Sequence, residues 1–283
     1  MQSKPNNCRR PGRPAGASTP PRPDVSIPRV NVLAVIPARY ASTRLPGKPL
    51  VSICGQPMIQ HVYERVRGAK RVDRVVVATD DERIREAVRG FGGEAMMTRS
   101  DHRSGSERVA EVAAQIAADI YVNVQGDEPL IEPAAVDALV EAMTADEDPA
   151  VQLGTLCVPI HSPADIMDPN VVKVVLDFQG DALYFSRAPI PWVREEGSRV
   201  HARHFKHLGI YAYRREPLLE FPTLPPGELE KLEQLEQLRF LENGYKIRVA
   251  ETSFDSVSVD VPGDVARVAE IMVGRNKAGK SRP

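Results

Sequence analysis

Residues 32–49 read VLAVIPARYASTRLPGKP, a short apolar run followed by a loop rich in proline, glycine and cations. A continuous apolar run that ends at a proline is typical of a strand buried on both faces of a parallel sheet. Similar runs stand at 74–79 and 120–124, with a shorter one at 94–97, and helical patterns lie between them. Strands that alternate with helices in this way predict an open, doubly wound α/β sheet.

Helical periodicity fits residues 58–68, 81–88 and 133–143, and another helix is predicted to begin at Ser104. Ser104 stands three residues before Glu107, which is the spacing of a capping box at a helix start. The second half of the chain is more mixed. Its predicted elements are strands at 153–160, 171–177, 182–186, 208–213 and 246–250, a leucine-striped helix at 229–241 that faces the core or a dimer partner, and a last helix at 262–273.

The composition is that of an ordinary globular protein. Of the 283 residues, 42% are hydrophobic and 27% are charged, and the three cysteines form no CxxC pair. No apolar run approaches the roughly 20 residues that a membrane-spanning helix needs. These features exclude collagen, coiled-coil, membrane and disulfide-scaffold classes, and the scattered cysteines favour reduced thiols in the cytoplasm.

Charge is distributed unevenly along the chain. Residues 1–30 contain six basic residues, one acidic residue and seven of the 25 prolines, whereas the whole chain carries a net charge of −1. The rest of the chain is therefore acidic, which argues against nucleic-acid binding. The leader is predicted to be disordered; the alternatives are a basic tether to an acidic partner and a start codon assigned too early. The predicted division is a leader at 1–30, an α/β domain at 31–275 and a flexible tail at 276–283.

The loop after the first strand carries three cations, Arg39, Arg44 and Lys48. Guanidinium and ammonium groups on a turn-rich loop suit a triphosphate. The loop lacks the glycine spacing of a P-loop or of a dinucleotide-binding fingerprint. A solvated basic loop is the alternative, but ligands of open α/β sheets bind at the carboxyl ends of the strands.

Acidic residues follow the strand at 120–124. Asp127 and Glu128 stand directly after it, and Asp260 is a second candidate between a later strand and the last helix. Magnesium that is bound to substrate phosphates takes one or two protein carboxylates. The sequence therefore predicts a magnesium site that involves Asp127 and Asp260.

Two other patterns are weaker signals. His201, His204 and His207 are spaced by three, but no cysteine or carboxylate with suitable spacing is near, so a zinc site is disfavoured. Cys54 is more typical of a small apolar residue in a loop than of a nucleophile.

A series of ordered motifs between Val32 and Ile271 resembles the 3-deoxy-manno-octulosonate cytidylyltransferases, also called CMP-Kdo synthetases. The motifs are IPARYASTRLPGKPL (36–50), IQHV (59–62), VVVATDDE (75–82), MTRSDHRSGSER (97–108), VNVQGDEPLI (122–131), NVVKVV (170–175), ALYFSRAPIPW (182–192), HLGIYAYR (207–214) and LEQLRFL (235–241). Two segments depart from the usual pattern. SGSER stands for SGTER, and VDVPGD stands for VDTPED, which replaces a polar side chain by Val261 beside Asp260.

The resemblance implies a nucleotidyltransferase-type, Rossmann-like fold with a mixed, mainly parallel sheet and a dimerisation extension in the second half. It implies that CTP and Kdo react to give CMP-Kdo and pyrophosphate, for lipopolysaccharide biosynthesis, with Mg²⁺ as cofactor. It also implies a cytoplasmic homodimer that binds these small molecules and neither nucleic acid nor membrane.

Residue roles follow from the same resemblance. Arg39, Arg44, Lys48 and Asp127 are expected to be catalytic, and Asp127 and Asp260 to bind the metal. The residues expected to bind CTP are Ala38, Arg39, Arg44, Lys48, Thr79, Asp80, Arg99, Ser104 and Gly105. Those expected to bind Kdo are Gln125, Arg187, His207, Tyr211, Glu236 and Gln237.

Two alternatives remain open at this point. The same chemistry on another acid sugar, such as a sialic acid or an 8-amino Kdo analogue, shares the fold and the phosphate loop, and only motifs of the second half favour Kdo. A non-catalytic nucleotide-binding protein is a different class, and it predicts a broken metal site, whereas both aspartates are present.

Overall fold

The structure, a computed structural model, describes residues 30–42, 44–145, 148–195 and 202–280, with the backbone alone for residues 276–280. The predicted leader up to residue 29 and the last three residues of the predicted tail lie outside these ranges. Within them the strands are β1 (Val32–Ala38), β2 (Ser52–Ile53), β3 (Gln56–Pro57), β4 (Arg74–Thr79), β5 (Ala95–Met97), β6 (Ile120–Asn123), β7 (Val151–Pro159), β8 (Lys173–Leu176), β9 (Ala182–Ser186), β10 (Phe205–Arg214) and β11 (Lys246–Glu251). The helices are α1 (Met58–Arg67), α2 (Glu82–Gly90), α3 (Gly105–Gln115), α4 (Pro133–Ala145), α5 (Pro163–Met167), α6 (Arg215–Glu220), α7 (Glu228–Glu233), α8 (Gln237–Glu242) and α9 (Pro262–Lys280).

The main sheet has the strand order β11-β7-β10-β6-β1-β4-β5. β10 runs antiparallel to both of its neighbours in this order, and the other strands run in one direction. β8 pairs with β10 and β9 with β8, so a hairpin extends the sheet in its second half. The predicted mixed, mainly parallel sheet is confirmed.

The sheet changes winding direction between β1 and β6. The chain runs outward from β1 through β4 to β5 and then returns to β6 on the other side of β1. The loops that leave the carboxyl ends of β1 and β6 therefore diverge and open a crevice between them, which is the usual ligand position in such sheets. Gly126 lies where these loops approach most closely, since a Cβ at this position would be 2.9 Å from the carbonyl oxygen of Pro37.

β1 continues beyond Pro37, where the sequence predicts that it ends. The carbonyl of Val35 accepts from Val124 N on the β6 side, so the nitrogen of Pro37, two residues on, faces the same side. Pairing with β6 ends at Val35, whereas pairing with β4 continues to Ala38. The missing N–H of the proline therefore coincides with the end of the pairing with β6 and leaves the pairing with β4 intact.

Helices cover both faces of the sheet. α1, α2 and α4 pack on one face through residues such as Val62, Ile84 and Leu139. α3, α6 and α8 pack on the other through Val109, Leu218 and Leu238. A smaller core joins α9 to the β2–β3 hairpin. These layers leave the carboxyl ends of the central strands open to a ligand.

The prediction of one helix at 229–241 is wrong. Gln234 adopts a left-handed conformation with φ of 54°, and the segment forms α7 and α8 on either side of it. Leu235 and Leu238 are buried, whereas Leu232 is 74% exposed, so only the later leucines face the core. The predicted end of the last helix at 273 is also wrong, because α9 runs to Lys280 and includes part of the predicted tail.

Candidate active site

The basic loop after β1 meets the acidic residues of two distant segments. Lys48 Nζ lies 2.5 Å from Oδ2 of Asp127 and 3.1 Å from Oδ1 of Asp260. Arg44 lies 3.0 Å from the same oxygen of Asp260. The Lys48 side chain is 13% exposed, whereas that of Arg44 is 64% exposed. The structure therefore places four of the predicted site residues together at the crevice between β1 and β6.

Backbone hydrogen bonds fix the two carboxylates relative to each other. Val259 N donates to the carbonyl oxygen of Asp127 at 2.9 Å, which ties the loop after β6 to the segment before α9. Asp264 Oδ2 accepts from the amides of Asp260 and Val261 at the start of α9. These two bonds hold the pKa of Asp264 below its ordinary value. The valine at 261 contributes only its amide here, so the departure from the usual motif leaves Asp260 in place.

The donor set of this site fits magnesium. Two carboxylates converge on one cation, and no group of three or more His, Cys, Asp or Glu that could hold a metal occurs among the described residues. Mg²⁺ characteristically takes one or two carboxylates and completes its shell with substrate phosphates and water. Asp127 and Asp260 would supply that number of protein ligands.

Glu128 lies beside this pair and faces β10. Burial and the neighbouring charge of Asp127 raise the pKa of Glu128 to about 7. A Cβ at Gly209 in β10 would lie 3.8 Å from both Glu128 Oε1 and Gln125 Cγ. Side chains of the loop after β6 thus pack against the backbone of β10.

Arg39 contacts a neighbouring loop. Its guanidinium donates to the carbonyl oxygens of His102 and Ser104, the latter at 3.1 Å. Ser104 Oγ in turn accepts from Glu107 N at 3.3 Å, and Glu107 Oε2 accepts from Arg103 N at 2.7 Å. The predicted start of α3, with Ser104 as its N-cap, is confirmed, but Glu107 accepts from the amide of Arg103 and not from that of Ser104, so only half of the capping box forms. Arg39 ties the loop before α3 to the end of β1.

The same loop is held from α3 by Glu111. Glu111 Oε2 accepts from Arg99 N at 3.0 Å and also contacts His102 Nε2. The Arg99 side chain pairs with Asp101 and is 69% exposed. Only the backbone of Arg99 is therefore built into the network, although the resemblance placed the residue in the CTP site. The sequence does not predict this role of Glu111, because a carboxylate on an amphipathic helix is usually exposed to solvent.

The carboxyl end of β4 holds a buried charge. Thr79 is buried and its hydroxyl accepts from Asp81 N at 3.2 Å, while Asp81 caps α2. Asp80 lies 3.2 Å from the guanidinium of Arg108, which is fully buried, and burial lowers the pKa of Arg108. Arg108 Nε has no hydrogen-bond partner among the described residues. In the sequence, Arg108 stands among apolar residues on one face of α3, and this position could have indicated a buried charge.

A second polar cluster lies on β10, where this strand pairs with β6 and β7. His207 is 7% exposed, and its Nε2 lies 3.0 Å from the hydroxyl of Thr155. Burial lowers the pKa of His207 to about 3, so its ring is neutral. Its ring centroid lies 5.4 Å from that of Tyr211, and burial raises the pKa of Tyr211 well above its ordinary value. His204 contacts the Pro191 carbonyl, so His204 and His207 have different partners. His201 lies outside the described residues.

The start of α8 adds two further polar side chains. Burial raises the pKa of Glu236, and the nearby hydroxyls of Ser106 and Ser104 at the start of α3 oppose that shift. Gln237 is 5% exposed, and its Nε2 has no partner among the described residues. Asn123 Oδ1, at the end of β6, is likewise without one. Buried polar atoms without partners indicate groups that a polar ligand can satisfy.

Arg187 follows β9. Its Nε donates to the Glu233 carbonyl at 2.8 Å and its NH1 to the Pro169 carbonyl at 2.9 Å. No carboxylate among the described residues forms an ion pair with it. Its charge is therefore positioned by backbone contacts and is not neutralised by a side chain.

Comparison with known proteins gives the family. A family model described as Cytidylyltransferase matches residues 33–247. A 3-deoxy-manno-octulosonate cytidylyltransferase of Geobacter sulfurreducens is 53% identical over 249 residues, which cover 85% of this chain and 99% of the relative. One from Syntrophotalea carbinolica is 56% identical over 245 residues, covering 84% and 97%. The chain belongs to the 3-deoxy-manno-octulosonate cytidylyltransferase family.

A solved structure agrees with this assignment. A CMP:2-keto-3-deoxy-manno-octonic acid synthetase complexed with CTP superposes with a TM-score of 0.82 at 48% identity, covering 87% of this chain and 99% of that one. No helix of the described residues is long and apolar enough to cross a membrane.

In this member of the 3-deoxy-manno-octulosonate cytidylyltransferase family, the predicted site residues lie in two groups. The first surrounds the crevice between β1 and β6 and contains the cations, the two aspartates and the loop before α3. The second lies along β10, β9 and the start of α8. Glu236 links the two groups, since it belongs to the second and its pKa is influenced by the hydroxyls of Ser106 and Ser104 at the start of α3.

Proposed function

We propose that this protein transfers the cytidylyl group of CTP to Kdo and releases pyrophosphate. The observation that carries the proposal is the meeting of Lys48 and Arg44 with Asp127 and Asp260 at the crevice of the sheet. The family supports the identity of both substrates, since its curated members carry that activity in their names. A cationic loop beside a carboxylate pair is suited to phosphoryl chemistry, which depends on positioning and charge neutralisation.

The cations hold the triphosphate in this proposal. The anomeric hydroxyl of the sugar attacks the α-phosphorus and gives up its proton to water. The bond between the α-phosphorus and the oxygen that bridges to the β-phosphorus breaks, and pyrophosphate leaves with that oxygen. Lys48 and Arg44 neutralise the charge that develops on the departing oxygens. Both already contact carboxylates at the site, so their positive charges are held close to the place where the phosphates would lie.

Asp127 and Asp260 would hold the magnesium ion of the proposed reaction. When bound, Mg²⁺ supplies Lewis-acid stabilisation of negative charge on phosphate oxygens. The two aspartates are held in place for this role by the hydrogen bond from Val259 N to the Asp127 carbonyl and by the bond from Asp260 N to the Asp264 carboxylate.

The loop at 99–105 is proposed to select cytosine through its backbone. Arg39, Glu107 and Glu111 fix the amides and carbonyls of this loop from two sides. A base edge is read well by such groups because they have no freedom to reorganise. Ala38, Thr79 and Asp80, at the neighbouring strand ends, complete the proposed nucleoside site.

The second cluster is proposed to bind the sugar acid. Kdo carries a carboxylate and several hydroxyls, so it needs a cation and a set of hydrogen-bonding groups. Arg187 is a cation of this cluster that forms no ion pair with a described residue. The other proposed contacts are Gln125, His207, Tyr211, Glu236 and Gln237, of which Gln237 has a buried amide nitrogen to satisfy.

We also propose that two copies of this chain form a homodimer in the cytoplasm. An apolar cleft of about 730 Å³ lies between α5 and the segment after β9, and Trp192 and Met167 at its edge are 70% and 62% exposed. An exposed apolar patch of this kind supports an interface.

The cysteines support the proposed location in the cytoplasm. Cys54 and Cys157 are free thiols, as expected for a reducing compartment.

The test of the proposed activity is identification of the products. The full-length protein is incubated with CTP, Kdo and Mg²⁺, and the products are followed by ³¹P NMR. The expected result is a phosphodiester signal of CMP-Kdo that grows in equal amount with pyrophosphate. Phosphate release without a CMP-sugar, or no reaction, would contradict the proposal.

A further inference from the structure

Glu233, the last residue of α7, holds the end of β9 with its carboxylate. Its Oε1 accepts from Ser186 Oγ at 2.5 Å and from Tyr184 OH at 3.4 Å, and its Oε2 accepts from Arg187 N at 2.9 Å. Ser186 is 2% exposed, and its hydroxyl oxygen accepts from Ala188 N. One carboxylate thus fixes the backbone on which Arg187 stands.

The backbone of Glu233 holds the side chain of the same arginine. Its carbonyl accepts from Arg187 Nε at 2.8 Å. The next residue, Gln234, adopts the left-handed conformation that ends α7 and leads into α8. Glu233 therefore connects Arg187, through hydrogen bonds, to the segment that carries Glu236 and Gln237.

A buried lysine holds the backbone of Arg187 from the other side. Lys173 is fully buried, and its ammonium donates to the carbonyl oxygens of Arg187 at 2.6 Å and Asp168 at 2.9 Å. Burial lowers the pKa of Lys173, and the negative charges of Asp168 and Glu233 oppose that shift. The backbone of Arg187 is held at its amide by Glu233 and at its carbonyl by Lys173.

We propose that Glu233 is a positioning residue for the acid sugar, acting through Arg187 and through the turn that leads to Glu236 and Gln237. The inference rests on the proposed function, because it assigns the sugar carboxylate to Arg187. A guanidinium whose Nε and NH1 are engaged by backbone carbonyls has a fixed orientation, and its remaining N–H groups can meet a carboxylate without reorganisation. Displacement of such a group by about 1 Å is sufficient to lower turnover strongly.

The experiment measures steady-state pyrophosphate release with each substrate varied in turn. Glu233→Gln removes the charge and leaves only one acceptor oxygen for the three groups that donate to the carboxylate, which are Ser186 Oγ, Tyr184 OH and Arg187 N. Glu233→Asp keeps the charge on a shorter side chain and provides a second variant if the glutamine form folds poorly. Glu230→Gln is the matched control, because Glu230 lies on the same helix, is 11% exposed and pairs with Arg239 without touching β9. Thermal unfolding is measured for every variant.

The expected result is a rise of about tenfold or more in KM for Kdo in Glu233→Gln, with KM for CTP changed less than about twofold. Glu233→Asp is expected to fall between this variant and the wild type. Ser186→Ala removes the other end of the same hydrogen bond, so the double variant is expected to be no worse than Glu233→Gln alone.

Three outcomes would overturn the inference. They are an unchanged KM for Kdo in Glu233→Gln, an equal rise in both KM values, and an equal rise in KM for Kdo in Glu230→Gln. Failure of the proposed function itself is distinguished by the wild type, which would then release no pyrophosphate in response to Kdo.

Discussion

Asp260 Oδ1 lies 3.1 Å from the ammonium nitrogen of Lys48, and the same nitrogen lies 2.5 Å from Asp127. Asp260 belongs to the segment before α9, at the far end of the chain from Lys48. The two aspartates are linked by the bond from Val259 N to the Asp127 carbonyl, so the site closes only when the end of the chain has folded back over β6.

Asp127→Asn and Asp260→Asn are each expected to lower kcat/KM by about two orders of magnitude or more, because each removes a charged ligand of the proposed metal. The measurement is pyrophosphate release as a function of Mg²⁺ concentration. Asp165→Asn, an exposed aspartate at the start of α5, is the control and is expected to behave as the wild type. If either site variant keeps wild-type activity at limiting Mg²⁺, that residue is not a metal ligand.

Arg39→Lys separates two roles of this arginine. Lysine keeps the positive charge, but its shorter side chain lacks the terminal guanidinium nitrogen that donates to both the His102 and the Ser104 carbonyls. KM for CTP is expected to rise about tenfold, since one hydrogen bond from a charged donor is lost. Arg44→Lys is the comparison and is expected to have a smaller effect, because Arg44 is exposed and acts through charge. Equal, small effects would show that Arg39 serves as a phosphate-binding charge only.

Nucleotide selection is expected to follow from the fixed backbone of the loop at 99–105. CTP should be strongly preferred over ATP and GTP, with UTP the least poor substitute, because the loop presents amides and carbonyls to a pyrimidine edge. Initial rates of pyrophosphate release at equal nucleotide concentration measure this preference. Use of purine nucleotides at the rate of CTP would contradict the assignment of the pocket.

His207 gives a prediction for stability against pH. Its pKa of about 3 in the folded protein lies below the roughly 6.5 of an unfolded histidine, so the unfolded state takes up a proton first as the pH falls. Between pH 7 and pH 5 the wild type is expected to lose about 2 kcal/mol more of its free energy of unfolding than His207→Gln. Glutamine keeps a donor for the Thr155 hydroxyl, which limits other effects of the change. Urea unfolding at both pH values provides the measurement, and parallel losses in the two proteins would show that His207 is accessible to protons.

The first half of the fold and the core of the site could be predicted from the sequence. Buried strands such as 74–79 are continuous apolar runs, and parallel strands place the residues that follow them at one edge. The sequence alone therefore predicts that Lys48 and Asp127 lie in the same crevice, at the carboxyl ends of β1 and β6.

The remaining features depend on tertiary contacts that no local pattern carries. Gln234 is a good helix former, so the break after α7 has no signal in the sequence; the bonds of Glu233 to β9 accompany it in the fold. Both Arg108 and Glu111 stand on α3. The apolar face of this helix marks Arg108 as a buried charge, whereas helical spacing does not distinguish Glu111 from a solvated carboxylate. The direction of Arg39, toward loop carbonyls, depends on the path of a segment more than sixty residues later in the chain.

The most direct test of the proposed function is kcat/KM for the sugar at saturating CTP and Mg²⁺, measured with Kdo, with sialic acid and without sugar. We expect rapid pyrophosphate release with Kdo, a value at least about a hundredfold lower with sialic acid, and no release above background without sugar. An equal or higher value with sialic acid would contradict the assignment of Kdo, and release that does not depend on any sugar acid would contradict cytidylyl transfer.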